Sequence, residues 1–129
     1  MQINWLAVLV AALSAFVLGG LWYGPLFKHA WCREAGIDPD AAPKHPGRVF
    51  GAAFVASFIA AAAFAWIIGP APGLRMAVIS GLVAGLGIVA MSFGINYAFA
   101  QRSVRLWLID GGYHTLQFSL YGLVIGLWQ

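Results

Sequence analysis

The stretch that decides the fold is Val49–Ala100, VFGAAFVASFIAAAAFAWIIGPAPGLRMAVISGLVAGLGIVAMSFGINYAFA, in which the only charged side chain is Arg75. A helix needs about 20 predominantly apolar residues to cross a bilayer. This stretch holds two such runs, Val49 to Ile68 and Leu74 to Ala100. Between them lies Gly69-Pro70-Ala71-Pro72-Gly73. Proline fixes φ and lacks a donor, and glycine frees φ, so this pentad is a tight turn and the two helices run antiparallel. The runs show no polar/apolar alternation and are rich in Ala, Leu and Gly, which argues against strands.

Outward from this hairpin the pattern repeats. A third apolar run, Ile3 to Tyr23, ends at Gly24-Pro25, and a fourth covers Leu106 to Trp128. The first loop, His29 to Gly47, contains Pro39, Pro43 and Pro46, and the last is only Gln101 to Arg105. Such short links leave no room for a second domain. The expectation is an all-α, polytopic membrane protein, residues 1–129 forming one four-helix transmembrane bundle with spans near 3–23, 49–68, 74–100 and 106–128. Composition agrees: of 129 residues, 62% are hydrophobic and 9% charged, against roughly a quarter charged in soluble domains. All six tryptophans, at 5, 22, 31, 66, 107 and 128, fall near span ends, where an indole ring is buried and its N–H stays wet.

Orientation follows from the cations. One side receives Lys28, Arg33, Lys44, Arg48, Arg102 and Arg105, and the other receives Arg75. The positive-inside rule places the first and third loops in the cytoplasm and both termini outside. No charged side chain precedes Lys28, so the first span reads as an uncleaved anchor rather than a signal peptide with a basic n-region. The location implied is a cell membrane, the inner one for a bacterial source. The net charge of +3 does not indicate nucleic acid, because the cations lie in short loops and form no basic face.

Small residues recur at a spacing of four: Ala7, Ala11, Ala15 and Gly19; Ala53, Ser57, Ala61 and Ala65; Ala77, Gly81 and Gly85. Such ridges let backbones approach closely, within one bundle or between copies. A faint echo also runs through the chain. Gly20, Trp22, Tyr23 and Lys28 recur at one offset as Gly94, Asn96, Tyr97 and Arg102. The second and fourth runs do not extend it, and chance or a shared need for an aromatic anchor followed by a cation explains it about as well as duplication.

The fourth run carries the chemistry. Trp107, Asp110, His114, Gln117 and Tyr121 follow a 3-4-3-4 spacing and share one helix face, which should meet protein or water rather than lipid tails. Asp110 is five residues past Arg105, roughly 7 Å along the axis. Depth then groups Tyr23, Ser92, Asn96, Asp110, His114 and Gln117 in a polar cluster of the inner leaflet. An Asp and a His one turn apart can share a proton or bind a cation; the same residues can equally tie helices together or pair with an arginine. His29, Cys32, Glu34, Asp38, Asp40 and His45 share the first loop without any standard zinc spacing, so no metal site is expected. The segment Phe27 to Ala35 is expected at the headgroups, with Trp31 inserted. Walker A, GxGxxG, GxSxG and HExxH motifs are all lacking, so neither a cofactor nor an enzymatic activity is expected.

Two segments, GGLWYGPLFKHAW at 19–31 and NYAFAQRSVRLWLIDGGYHTLQFSLYGLVIGLW at 96–128, resemble the family of small integral-membrane proteins known as domain of unknown function 1761. The resemblance rests on Asn4-Trp5, the run Leu21 to Phe27, Asn96, and the run Leu106 to His114. It implies a four-span fold but no activity, and it singles out Asn96, Asp110 and His114 for test. Two functions then compete. One is a transporter or channel for a small solute, ion or proton, working as a homo-oligomer around the polar face of the fourth span. The other is a non-catalytic accessory subunit or assembly factor of a larger membrane complex.

Overall fold

The computed structural model describes residues 3–40 and 45–128. The chain ends Met1 and Gln129, and Pro43 and Lys44 of the first loop, lie outside the described residues. Six α-helices follow one another: α1 (Trp5–Leu21), α2 (Lys28–Ala35), α3 (Pro46–Ile68), α4 (Leu74–Leu82), α5 (Met91–Phe99) and α6 (Val104–Leu127). Two wider, π-helical stretches interrupt the pattern, Trp22–Leu26 after α1 and Val83–Ala90 between α4 and α5. The second leaves α4 and α5 as one continuous column, Leu74–Phe99. Among the described residues there is no strand.

Local chemistry sets the helix ends. The Asn4 side chain accepts from the Ala7 N–H at 3.1 Å and starts α1. Ser103 does the same for Leu106 at 3.1 Å and starts α6. Pro46 opens α3, at a position where its missing N–H costs nothing. The turn between α3 and α4 is bracketed by Gly69 and Gly73, both at φ +83°, which side-chain-bearing residues rarely adopt. Pro25 and a non-helical Gly24 (φ −101°, ψ −106°) end the first column, as the Gly-Pro pair implied.

Three helical columns are long and apolar enough to cross a membrane: Trp5–Leu26, Pro46–Ile68 and Leu74–Phe99. The fourth expected span, α6, has the length, with 24 residues, but its polar stripe lowers its hydropathy below theirs. Its position explains why it can carry that stripe. α6 touches every other helix: α4 and the π-helical stretch on one side, α1 and α3 on the other, and α2 and α5 at one end. Nine of its residues are buried, including Asp110, Gln117 and Tyr121. The outward faces elsewhere are crowded with large apolar side chains such as Val17, Ile59, Ile67, Ile88 and Ile95. A surface of that kind suits lipid chains and is out of place in water.

Most members of the small-residue ridges are buried in this bundle, Ala53 on α3 being exposed. Ala7, Ala11 and Ala15 are fully buried between α1's neighbours, and Ala61 and Ala65 are buried on α3. On α4, Gly81 sits so close to α6 that an added Cβ would lie 2.1 Å from the Phe118 carbonyl oxygen. Gly122 on α6 stands in the same relation, at 2.1 Å, to the Ala77 carbonyl oxygen of α4. Backbone-to-backbone packing of this kind replaces the hydrophobic drive that lipid cannot supply.

Candidate functional site: a polar core on the central helix

Asp110 is 8% exposed, near the start of α6. Each of its carboxylate oxygens takes a tyrosine hydroxyl. Tyr23 donates to Oδ1 at 2.6 Å from the π-helical turn after α1, and Tyr97 of α5 donates to Oδ2. Among the described residues no cation pairs with Asp110; the ion pair found there, Arg33 with Glu34 at 3.8 Å, lies within α2. The arginine partner considered for Asp110 is thus replaced by two phenols. Charge-assisted hydrogen bonds of this type are stronger than neutral ones and hold α1, α5 and α6 in register.

A second network begins one turn deeper. His114 Nδ1 lies 2.5 Å from Gln117 Oε1, and Gln117 Nε2 donates to the Tyr121 hydroxyl at 2.6 Å. Since the amide nitrogen donates onward, its oxygen is the acceptor, and His114 carries its proton on Nδ1. Tyr121, fully buried, donates to the Ser57 carbonyl at 3.0 Å. The Ser57 hydroxyl is 2.7 Å from that of Tyr121 and also reaches the Ala12 carbonyl at 3.3 Å. A polar thread therefore runs from α6 through α3 to α1. Among the described residues, no buried side-chain polar atom lacks a hydrogen-bond partner.

The structure brings together only part of the expected cluster. Tyr23 meets Asp110, and Gln117 meets His114. No hydrogen bond joins Asp110 to His114; each has its own partners. Ser92 and Asn96 are exposed and stand outside both networks, and the Ser92 hydroxyl bonds back to its own helix at Ile88 O, 2.8 Å. The reason is rotational. The face of the α4–α5 column that meets α6 carries Ala90, Phe93, Gly94 and Tyr97. Phe93 stacks on the His114 ring with centroids 4.8 Å apart, and an added Cβ on Gly94 would meet the Trp107 indole at 3.2 Å. Asn96 is at the right depth but about 100° away around the helix. Tyr97 takes its place; the echo pairs Tyr97 with Tyr23 in sequence but assigns neither to Asp110.

Two tryptophans also depart from the expectation of wet indoles. Trp22 donates inward to the Ile109 carbonyl at 2.8 Å, and Trp107 to the Ala90 carbonyl at 2.8 Å. Both peg α6 to its neighbours. Tyr113 adds a third peg, donating to Ala15 O at 3.0 Å. In the first loop, residues 28–35 form a helix in which Trp31 packs edge-on against Tyr23, ring centroids 5.4 Å apart. Among the described residues no three of His, Cys, Asp and Glu come close enough to hold a metal ion.

Fold and site together define a class: a helical protein, without strands among the described residues, whose three apolar columns are long enough to cross a membrane and pack around one polar helix. The model of the family described as protein of unknown function (DUF1761) matches residues 6–126. The chain belongs to that family. No curated protein and no solved structure matches the chain.

Proposed function

We propose that this protein is a four-span integral membrane protein, both termini on the outer side, serving as a non-catalytic accessory or assembly subunit of a larger membrane complex. The fourth span is α6, whose polar stripe is sheltered by the other three columns. The cation asymmetry supports the orientation. One observation carries the functional reading: the stripe's polar side chains are spent on partners within the protomer. A homo-oligomeric pore around α6 would need that face turned toward other copies. What the columns turn outward is mostly apolar, with Ser92 and Asn96 among the polar exceptions on the α4–α5 column. Between α3 and the α4 column lies an apolar cleft of about 900 Å³ floored by Phe118, suited to a helix of a partner protein.

A second reading, proton-linked transport, is favoured by Asp110 itself, an acidic group enclosed near the cytoplasmic end of its helix with no cation paired to it among the described residues. The two are separated by the particle and its activity. Extraction in a mild detergent should yield one copy bound to other membrane proteins, and liposomes holding the purified chain should show no proton flux. A closed homo-oligomer whose flux is abolished by Asp110→Asn would overturn the accessory reading in favour of transport.

A further inference from the structure

We propose that the cleft between α1 and α3 is a binding site for one anionic phospholipid of the surrounding bilayer, with an acyl chain in the cleft and the headgroup at Lys28. The proposal rests on the membrane-spanning reading but not on the accessory role. The cleft measures about 510 Å³, within the range of small-ligand sites. Its walls are Phe16 and Gly20 on α1, Phe50 and Ala53 on α3, with Tyr113 of α6 also lining it. An added Cβ on Gly20 would meet nothing within 4 Å, so the groove there is open space rather than packed core.

Its chemistry is that of an amphiphile site. The Tyr113 hydroxyl is committed to Ala15 O, so the ring offers the cleft an apolar surface. Tyr23 and Ser57, which also line it, are committed to Asp110 and to the Tyr121 chain. The interior therefore accepts hydrocarbon. Lys28 is the one cation lining the cleft, it is exposed, and it makes no ion pair among the described residues. The broken turn at Gly24-Pro25 separates α1 from α2, and Lys28, first residue of α2, lines the cleft. Arg48 adds a second exposed cation two residues before Phe50. A cation at the headgroup level above an apolar groove selects a lipid with a negative phosphate and no compensating ammonium.

The test is competition between phosphatidylglycerol and phosphatidylcholine. Purified full-length protein is equilibrated with equal amounts of the two lipids in detergent, and retained lipid is counted by native mass spectrometry. The wild type should keep one phosphatidylglycerol in preference to phosphatidylcholine. Lys28→Gln should cut that preference about fivefold, the order expected of one lysine near an anionic surface. Gly20→Leu should fill the groove and abolish retention of both lipids, while Arg75→Gln, at the opposite end, should change nothing. The proposal is overturned if Lys28→Gln keeps the wild-type preference, if Gly20→Leu keeps the lipid, or if Arg75→Gln matches the effect of Lys28→Gln. Resistance to alkaline extraction from membranes tests the membrane reading separately, because it does not depend on lipid type.

Discussion

Replacing Gly81 or Gly122 by alanine should push α4 and α6 apart, and the cost can be worked from the geometry. At Gly81 an added Cβ would lie 2.1 Å from Phe118 O, 2.8 Å from its carbonyl carbon and 3.0 Å from Ser119 Cα. At Gly122 the corresponding atoms are Ala77 O at 2.1 Å, its carbonyl carbon at 2.7 Å and Val78 Cα at 3.0 Å. Ordinary contact begins at 3.4 Å, so the axes must separate locally by about 1.3 Å, the difference between 3.4 and 2.1. The obstacles are backbone atoms, which cannot swing away as a side chain would. A gap of that size forfeits on the order of half the dispersion energy of the neighbouring contacts. Overpacking of this kind costs about 1–3 kcal/mol, and rigid backbone obstacles place these sites at the upper end.

Alanine also favours a helix over glycine, by about 1 kcal/mol, and a matched control removes that term. Gly51→Ala on α3 introduces a Cβ with nothing within 4 Å, and Gly87→Ala meets only Val83 Cγ1 at 3.9 Å. Relative to these, Gly81→Ala and Gly122→Ala should each be less stable by about 2–3 kcal/mol. The double variant should cost less than the sum, because one separation of the helices relieves both clashes. Unfolding of the purified protein in mixed micelles on titration with dodecyl sulfate measures all five. Equal midpoints for Gly81→Ala, Gly122→Ala and Gly51→Ala would refute the close approach of α4 to α6.

Tyr23→Phe and Tyr97→Phe should each destabilise the fold by about 1.5–3 kcal/mol in the same assay, because each leaves one oxygen of a buried carboxylate without its donor; Asn96→Ala, on the outer face of α5, should stay within about 0.5 kcal/mol of wild type. Equal stability of the three would remove the tyrosine clamp. Topology is read by thiol labelling of intact cells in a Cys32→Ser background: a cysteine at Ala71 should react from outside, and one at Gln101 only after permeabilisation. The reverse pattern would invert the orientation.

What the sequence made legible follows from which forces act locally. Helix ends at Gly24-Pro25 and at the Gly69–Gly73 turn depend on backbone chemistry that Gly and Pro mark within a few residues, whereas the Ser103 cap that starts α6 at Val104, two residues before the apolar run, carries no such mark. The stripe on α6 was legible because a 3-4 spacing fixes a shared face whatever lies opposite. Choosing between Asn96 and Tyr97 was not, because the rotation of the α4–α5 column is set by distant contacts: Gly81 and Gly85 against the α6 backbone, and Trp107 against Ala90 O. The π-helical stretch Val83–Ala90 adds to that rotation and leaves no mark among Val, Ala, Gly, Leu and Ile. Trp22 and Trp107 were misread for a related reason: an indole seeking headgroups and one seeking a neighbour's carbonyl occupy the same sequence position near a helix end.

Hydropathy misleads most where the structure is most enclosed. α6 is the least apolar of the four long columns and the one with most buried residues, because its neighbours take up its polar groups one by one: Tyr23 and Tyr97 at Asp110, Ser57 at Tyr121. In lipid the partner of a polar side chain has to be protein, so a long helix less apolar than the three beside it belongs at the centre. The same argument accounts for the outer faces of α1, α3 and α4. Away from the end cations Arg48 and Arg75 they present apolar side chains such as Val17, Ile59 and Ile79, which are free to meet lipid or another protein.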